Sequence, residues 1–256
     1  MKELSVFVAA STECFPELSL DAALQRLVDL EYSRVEIGIR ESGRQLKPSD
    51  VHANLEQAVH ACRDTQRLTP VSYSVDIQAD GDEYYAQFAS CCKLAKTTKV
   101  VTVTVPAAEL GTPFNAEVER LRELVRIATL EGVLVGLKTE VGRITQDPDT
   151  AVVLCDNVKG LCITLDPSHY VCGPHAGGSY DHLLKYVCHV QLRDTSKRAL
   201  QVRVGQGEIE YGRLISQLGK FKYNRALSVH IVDVPESGID HAAEMRKMRL
   251  LLESLL

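Results

Sequence analysis

Residues 161 to 170 of the chain read LCITLDPSHY. An apolar run ends in the carboxylate of Asp166, with the imidazole of His169 three residues further on. Both groups are costly to bury unless paired, so something must reward their placement at the end of such a run. Other runs carry the same signature: Lys138 and Glu140 close LVGLKTE, His189, Gln191 and Arg193 punctuate VCHVQLR, His230 follows ALSV, and Glu36 interrupts RVEIGI. Side chains two apart in an extended strand share a face, which groups Lys138 with Glu140, and His189 with Gln191 and Arg193. Brought together, carboxylates, imidazoles and cations are groups that can take up, release and neutralise charge, as acid–base chemistry on a bound molecule needs.

Positioning such groups requires a scaffold that collects the ends of several strands. Eight short runs rich in β-branched residues begin near Leu4, Arg34, Pro70, Val100, Leu134, Leu161, Val187 and Arg225. Helical spacing separates them, for example Leu20, Leu24, Leu27 and Val28 behind the N-cap candidate Ser19. A second example is Val118, Leu121, Val125 and Ala128 behind the N-cap candidate Asn115, with Gly132 closing the helix. The strand starts lie about 26 to 38 residues apart, the length a βαβ unit needs. The pattern predicts an α/β protein, one (β/α)8 TIM barrel spanning residues 1–256 as a single domain. A doubly wound open sheet is the rival, but no G-x-G-x-x-G follows the first strand. In closed barrels the working groups sit at the carboxyl ends of the strands, where the polar residues named above fall.

Composition narrows the partners. With 45% hydrophobic and 25% charged residues and a net charge of −5, the chain has no basic block for nucleic acid or an anionic membrane, so a small molecule is expected. Eight scattered cysteines form no C-x-x-C pair, which suits a reducing, cytoplasmic setting. The opening MKELSVFVAA suits a first strand better than a signal sequence, and no stretch approaches the roughly 20 apolar residues of a membrane span.

The strings LSLDAALQRLVDLEYSRVEIGI, LCITLDPSHY, VCHVQLRDT and VGQGEIEYGRLISQL together resemble the xylose isomerase-like superfamily of sugar isomerases and epimerases, which also includes endonuclease IV-type enzymes. The resemblance implies a carbohydrate substrate, phosphorylated or not, and a proton moved alpha to a carbonyl. It also implies a divalent metal (manganese, magnesium or zinc) on a Glu after strand 5, an Asp after strand 6, a His in strand 7 and a Glu in strand 8. Carried over, Asp166 fits the aspartate and His169 the histidine after it, Gln191 falls at the ligand histidine and His230 at the last glutamate. The strand 5 position matches either Glu140 or Lys138. A set of Glu140, Asp166, Gln191 and His230 offers a mixed oxygen and nitrogen shell for a metal. With Lys138 in that position, its ammonium repels a dication and itself polarises the carbonyl, so a metal-free version stands equally open.

On this reading Glu140, His230 and Lys138 are catalytic, and Glu36, His169, His189, Arg193 and Arg203 bind substrate. The alternatives are a sugar-binding or regulatory barrel that has lost catalysis, and a repair nuclease, which the negative charge disfavours. A homo-oligomer stays open. Plainer roles exist for several residues: Asp166 as a turn cap before Pro167, His189 as a satisfied core histidine, and Glu36 as the partner of a neighbouring cation. The long segment RDTSKRALQVRVGQGEIEY, with Arg193, Lys197, Arg198 and Arg203, reads either as a phosphate-binding loop or as a solvated loop whose cations meet Glu208 and Glu210. Gly205 and Gly207 read as turn glycines.

Overall fold

The computed structural model describes residues 6–232 and 240–256. Eight parallel strands close in chain order into one barrel. They are β1 (Phe7–Ser11), β2 (Arg34–Arg40), β3 (Thr69–Asp76), β4 (Thr102–Val105), β5 (Leu134–Lys138), β6 (Leu161–Leu165), β7 (Val187–Leu192) and β8 (Ala226–Val229). Pairing of Phe7, Val8, Ala9 and Ala10 with Ala226, Leu227, Ser228 and Val229 closes the cylinder, so no strand edge is left open. All eight expected strands are present; Leu4 and Ser5 of the first expected run lie outside the described residues.

The outer layer comprises α1 (Leu20–Asp29), α2 (Pro48–Ala53), α3 (Leu55–Arg63), α4 (Gly81–Thr97), α5 (Phe114–Leu130), α6 (Pro148–Asn157), α7 (Ser168–Val171), α8 (Tyr211–Lys220) and α9 (His241–Glu253). Ser19 caps α1 as expected, its hydroxyl accepting from the Ala22 N–H at 3.4 Å. Asn115 does not cap α5: the helix already begins at Phe114 behind Pro113, whose φ of −56° presets the helical turn. Gly132, at φ +70°, follows that helix in the left-handed conformation the sequence asked for. Among the described residues no helix is long and apolar enough to cross a membrane.

The apolar core lies between barrel and helices. Val35, Ile37 and Ile39 of β2 pack there with Leu24, Leu27, Phe88, Leu121 and Leu154 of the surrounding helices, all fully buried. By strand alternation, Glu36, Gly38 and Arg40 then face the lumen. That lumen is polar where branched aliphatic side chains ordinarily fill such barrels. The Thr104 and Thr164 hydroxyls meet there at 2.7 Å, and a Cβ on Gly136 would lie 2.3 Å from Thr164 Oγ1, so only glycine leaves room for the pair.

Candidate active site

Inside the barrel the polar side chains occupy two levels. On the deeper one, Glu36 is wholly buried, with one carboxylate oxygen hydrogen-bonded to His189 Nε2 and the other accepting from Gln191 Nε2 at 2.7 Å. Burial raises the Glu36 carboxyl pKa, and the His189 imidazole more than offsets this and holds it below its ordinary value. None of the three lines the cavity above. Glu36 and His189 therefore satisfy each other below the cavity, and Gln191 gives its amide N–H to Glu36 while its Oε1 has no hydrogen-bond partner among the described residues. Depth along a strand is not legible in the sequence, which grouped these three with the residues of the strand ends.

The upper level is a string of alternating charges across the barrel mouth. Asp166 is fully buried; its Oδ1 accepts from the Ser168 N–H at 3.0 Å and from the Ser168 hydroxyl. Its Oδ2 accepts from Arg193 Nη2 at 2.8 Å. The same Nη2 lies 3.4 Å from His230 Nδ1, and His230 Nε2 lies 3.2 Å from Glu13 Oε2. Glu13 in turn binds Arg40, whose Nη1 lies 3.5 Å from Asp76. Since a guanidinium only donates, His230 Nδ1 is an acceptor, and its neutral ring carries the hydrogen on Nε2, toward Glu13. Burial raises the carboxyls of Asp166 and Glu13, but Arg193 beside the first, and His230 and Arg40 beside the second, hold both well below the usual carboxylate range.

Glu13 and Arg40 were missed from the sequence. Arg40 had a usable signal, sharing a strand face with Glu36 and Gly38. Glu13 had none, because it belongs to the short 3-10 turn Thr12–Cys14 after β1. Gly38 makes room for it: a Cβ there would lie 2.6 Å from Glu13 Cγ. Gln45 fixes the backbone of this turn, donating to the Thr12 and Phe15 carbonyls at 3.0 Å each.

Above these pairs opens a cavity of about 320 Å3, of a size for a small polar ligand. Lys138, Glu140, His169, Arg193 and His230 line it together with Glu13 and Arg40. The Lys138 ammonium is 3.9 Å from Glu140 Oε1. His169 Nδ1 accepts from the Val141 N–H at 3.1 Å, so the neutral ring carries its hydrogen on Nε2. That atom is buried without a hydrogen-bond partner among the described residues, 3.6 Å from Asp166 Oδ2. Thr139 sets the height of the strand ends, its hydroxyl accepting from the Asp166 N–H at 2.8 Å.

The segment after β7 is a folded brace. Asp194 Oδ2 accepts from the Gly205 and Gly207 N–H groups at 2.7 and 3.0 Å, and Oδ1 from the Thr195 N–H and the Tyr211 hydroxyl. Gly205 has φ +90°, and a Cβ on Gly207 would lie 2.0 Å from Asp194 Oδ1, which accounts for both glycines. Lys197 pairs with Glu208 at 3.4 Å. Arg203 is exposed and does not line the cavity, and of the cations in this segment Arg193 is the one among the lining residues. Asp194 itself escaped the sequence reading, since a carboxylate next to a presumed ligand-binding arginine was not separable from it.

The residues present do not fit the metal that the resemblance implies. Both Asp166 oxygens are engaged, Arg193 stands between Asp166 and His230, and Gln191 belongs to the deeper level. Among the described residues no three His, Cys, Asp or Glu side chains are grouped as a cation would require. Lys138 and Arg193 add positive charge where a dication would sit.

Acid should weaken the fold in two stages. Burial holds the His169 and His230 imidazoles below their ordinary value of 6.5. Below about pH 6.5 the unfolded chain therefore takes up protons that the folded chain refuses, and stability falls by at most about 1.4 kcal/mol per pH unit for each ring. Glu13, Glu36 and Asp166 have depressed values, so their contribution, present above the ordinary 4.5 or 3.8, drains away below it. Thermal melts from pH 8 to pH 4 will show a falling melting temperature; a rise toward pH 5 would contradict these burial assignments.

A closed barrel of eight parallel strands, with a cavity lined by charged side chains at the carboxyl ends of its strands, defines a (β/α)8 protein. The chain belongs to the xylose isomerase-like TIM barrel family, whose model matches residues 24–250. Solved structures share the fold. A xylose isomerase domain protein from Alicyclobacillus acidocaldarius is 16% identical, with 98% of each chain covered and a TM-score of 0.75. A xylose isomerase-like TIM barrel protein from Mycobacterium smegmatis, in complex with magnesium, is 16% identical, with 97% of each chain covered and a TM-score of 0.74. The 3-keto-D-glucoside 4-epimerase of E. coli is 14% identical, with 98% of this chain and 99% of that one covered and a TM-score of 0.70. No curated protein matches the chain by sequence.

Proposed function

We propose that the protein is a carbohydrate isomerase or epimerase that moves a proton alpha to a carbonyl. The observation that carries this reading is the pairing, at 3.9 Å, of the Lys138 ammonium with the Glu140 carboxylate in a sugar-sized cavity. Family membership supports the substrate class. In this mechanism Glu140 takes the proton from the carbon next to the carbonyl, and Lys138 and Arg193 hold the enediolate oxygen that forms. The Nε2–H of His169 donates to a substrate oxygen. Return of the proton by Glu140 to the former carbonyl carbon, while the hydroxyl proton of the first carbon passes to the enediolate oxygen, gives isomerisation. Return to the opposite face of the carbon from His230 in its imidazolium form, whose Nδ1 must first part from Arg193 Nη2, gives epimerisation. Burial lowers the His230 pKa, so the imidazolium share, and with it epimerisation, grows as pH falls.

A barrel that binds sugar without turnover is the second reading, favoured by the mutual pairing of Asp166 with Arg193 and of Glu13 with Arg40. The test is deuterium incorporation from solvent into a panel of aldoses, ketoses and their phosphates, followed by NMR. At least one sugar will exchange, and Glu140→Gln will slow that exchange by about 100-fold or more. Sugar binding without exchange would select the second reading.

A further inference from the structure

We propose that the guanidinium of Arg193 holds the seat of a divalent cation in this site, so that the chain's own positive charge, and no bound metal, faces the substrate oxygen. This deepens the reading above and rests on it for the role of the guanidinium, though not for its position. One nitrogen, Nη2, bridges Asp166 Oδ2 at 2.8 Å and His230 Nδ1 at 3.4 Å, two groups that would otherwise share a cation. The remaining carboxylate oxygen is held by Ser168 and cannot turn toward an incoming ion without giving up two hydrogen bonds. A guanidinium stays charged at any working pH, so Asp166 remains neutralised without recruiting anything from solution. The Lys138 ammonium lines the same cavity and opposes a second positive ion.

The site nevertheless asks for an oxygen ligand. Among the described residues Arg193 Nε and His169 Nε2 are both buried without a hydrogen-bond partner, and both residues line the cavity. Each carries an N–H when the His169 ring is neutral, and a buried donor left unpaired is costly. Two such donors beside an ammonium describe a recess for an oxygen bearing negative charge, which is what an enediolate presents.

Calorimetric titration and thermal melts of the wild-type protein with manganese chloride or zinc chloride alone, without any sugar, test the assignment. The wild type should take up no stoichiometric ion and keep its melting temperature, and prolonged dialysis against a chelator should leave solvent proton exchange unchanged. Arg193→Ala exposes Asp166 and His230 to the cation; it should melt lower than the wild type and bind one equivalent. At a metal concentration about 100 times its Kd it should regain roughly 8 °C. Arg193→Lys, which keeps the charge, should bind none. One tightly held ion in the wild type, lost in Asp166→Asn, would overturn the proposal, as would a folded Arg193→Ala that binds no metal. Should Arg193→Ala not fold with or without metal, the wild-type titration decides alone. Since the titration needs no substrate, its outcome is separable from a failure of the panel sugars to exchange.

Discussion

Asp166→Asn will lower stability by about 3–5 kcal/mol, the usual cost of breaking a buried ion pair by removing one partner. In a chain of this size that corresponds to a fall of roughly 10 °C in melting temperature, measured by calorimetry at neutral pH. The asparagine can still accept from the Ser168 N–H and hydroxyl through its amide oxygen, so the turn before α7 stays capped. What is lost is the countercharge at 2.8 Å from Arg193, a residue only 6% exposed and with no other carboxylate in salt-bridge contact among the described residues. The expectation therefore isolates the cost of leaving a guanidinium buried. Replacing both residues, Asp166→Asn with Arg193→Met, should recover most of the loss, because the stranded charge goes as well. A double variant as unstable as the single one would show that Asp166 acts mainly through the turn.

Lys138→Met carries the largest expected effect on activity. It removes the positive charge beside Glu140 while keeping the length and apolar stem of the side chain. Solvent proton exchange into a responsive sugar should slow by about 100- to 1,000-fold, the typical cost of losing one group that stabilises a developing oxyanion. The change should fall on kcat, with KM little altered, since the interaction strengthens only as negative charge builds on the oxygen. Stability should hold: among the described residues the ammonium makes one ion pair, with Glu140 at 3.9 Å, and its removal relieves the desolvation of a buried charge. An exchange rate within threefold of wild type would remove Lys138 from the mechanism and leave Arg193 as the sole electrophile.

The inward-facing levels of the barrel divide the work. Glu36, His189 and Gln191 close the deeper level with their own hydrogen bonds, leaving the Gln191 Oε1 and Ser228 Oγ atoms as its unpartnered acceptors or donors. The mouth level is paired between consecutive strand units, Glu13 to Arg40 and Asp166 to Arg193, and keeps Lys138 and His169 available to a ligand. Polar side chains in the lumen are tolerated because the apolar core lies outside the cylinder, against the helices.

The sequence alone determined the barrel and its reactive rim. Apolar alternation at βαβ spacing dictated eight parallel strands, and parallel strands bring all their carboxyl ends to one pole, so Lys138, Glu140, Asp166, Arg193 and His230 had to meet near each other. Only the tertiary structure decided depth and partnership. Gln191 and Arg193 look alike in the pattern, two residues apart on one face, yet that separation is about 7 Å along the strand and places one beneath the cavity and the other within it. The register at which neighbouring strands lock determines which level a side chain reaches. That register, like the approach of Glu13 from a turn outside any strand, depends on closure of the whole cylinder and leaves no trace in local periodicity.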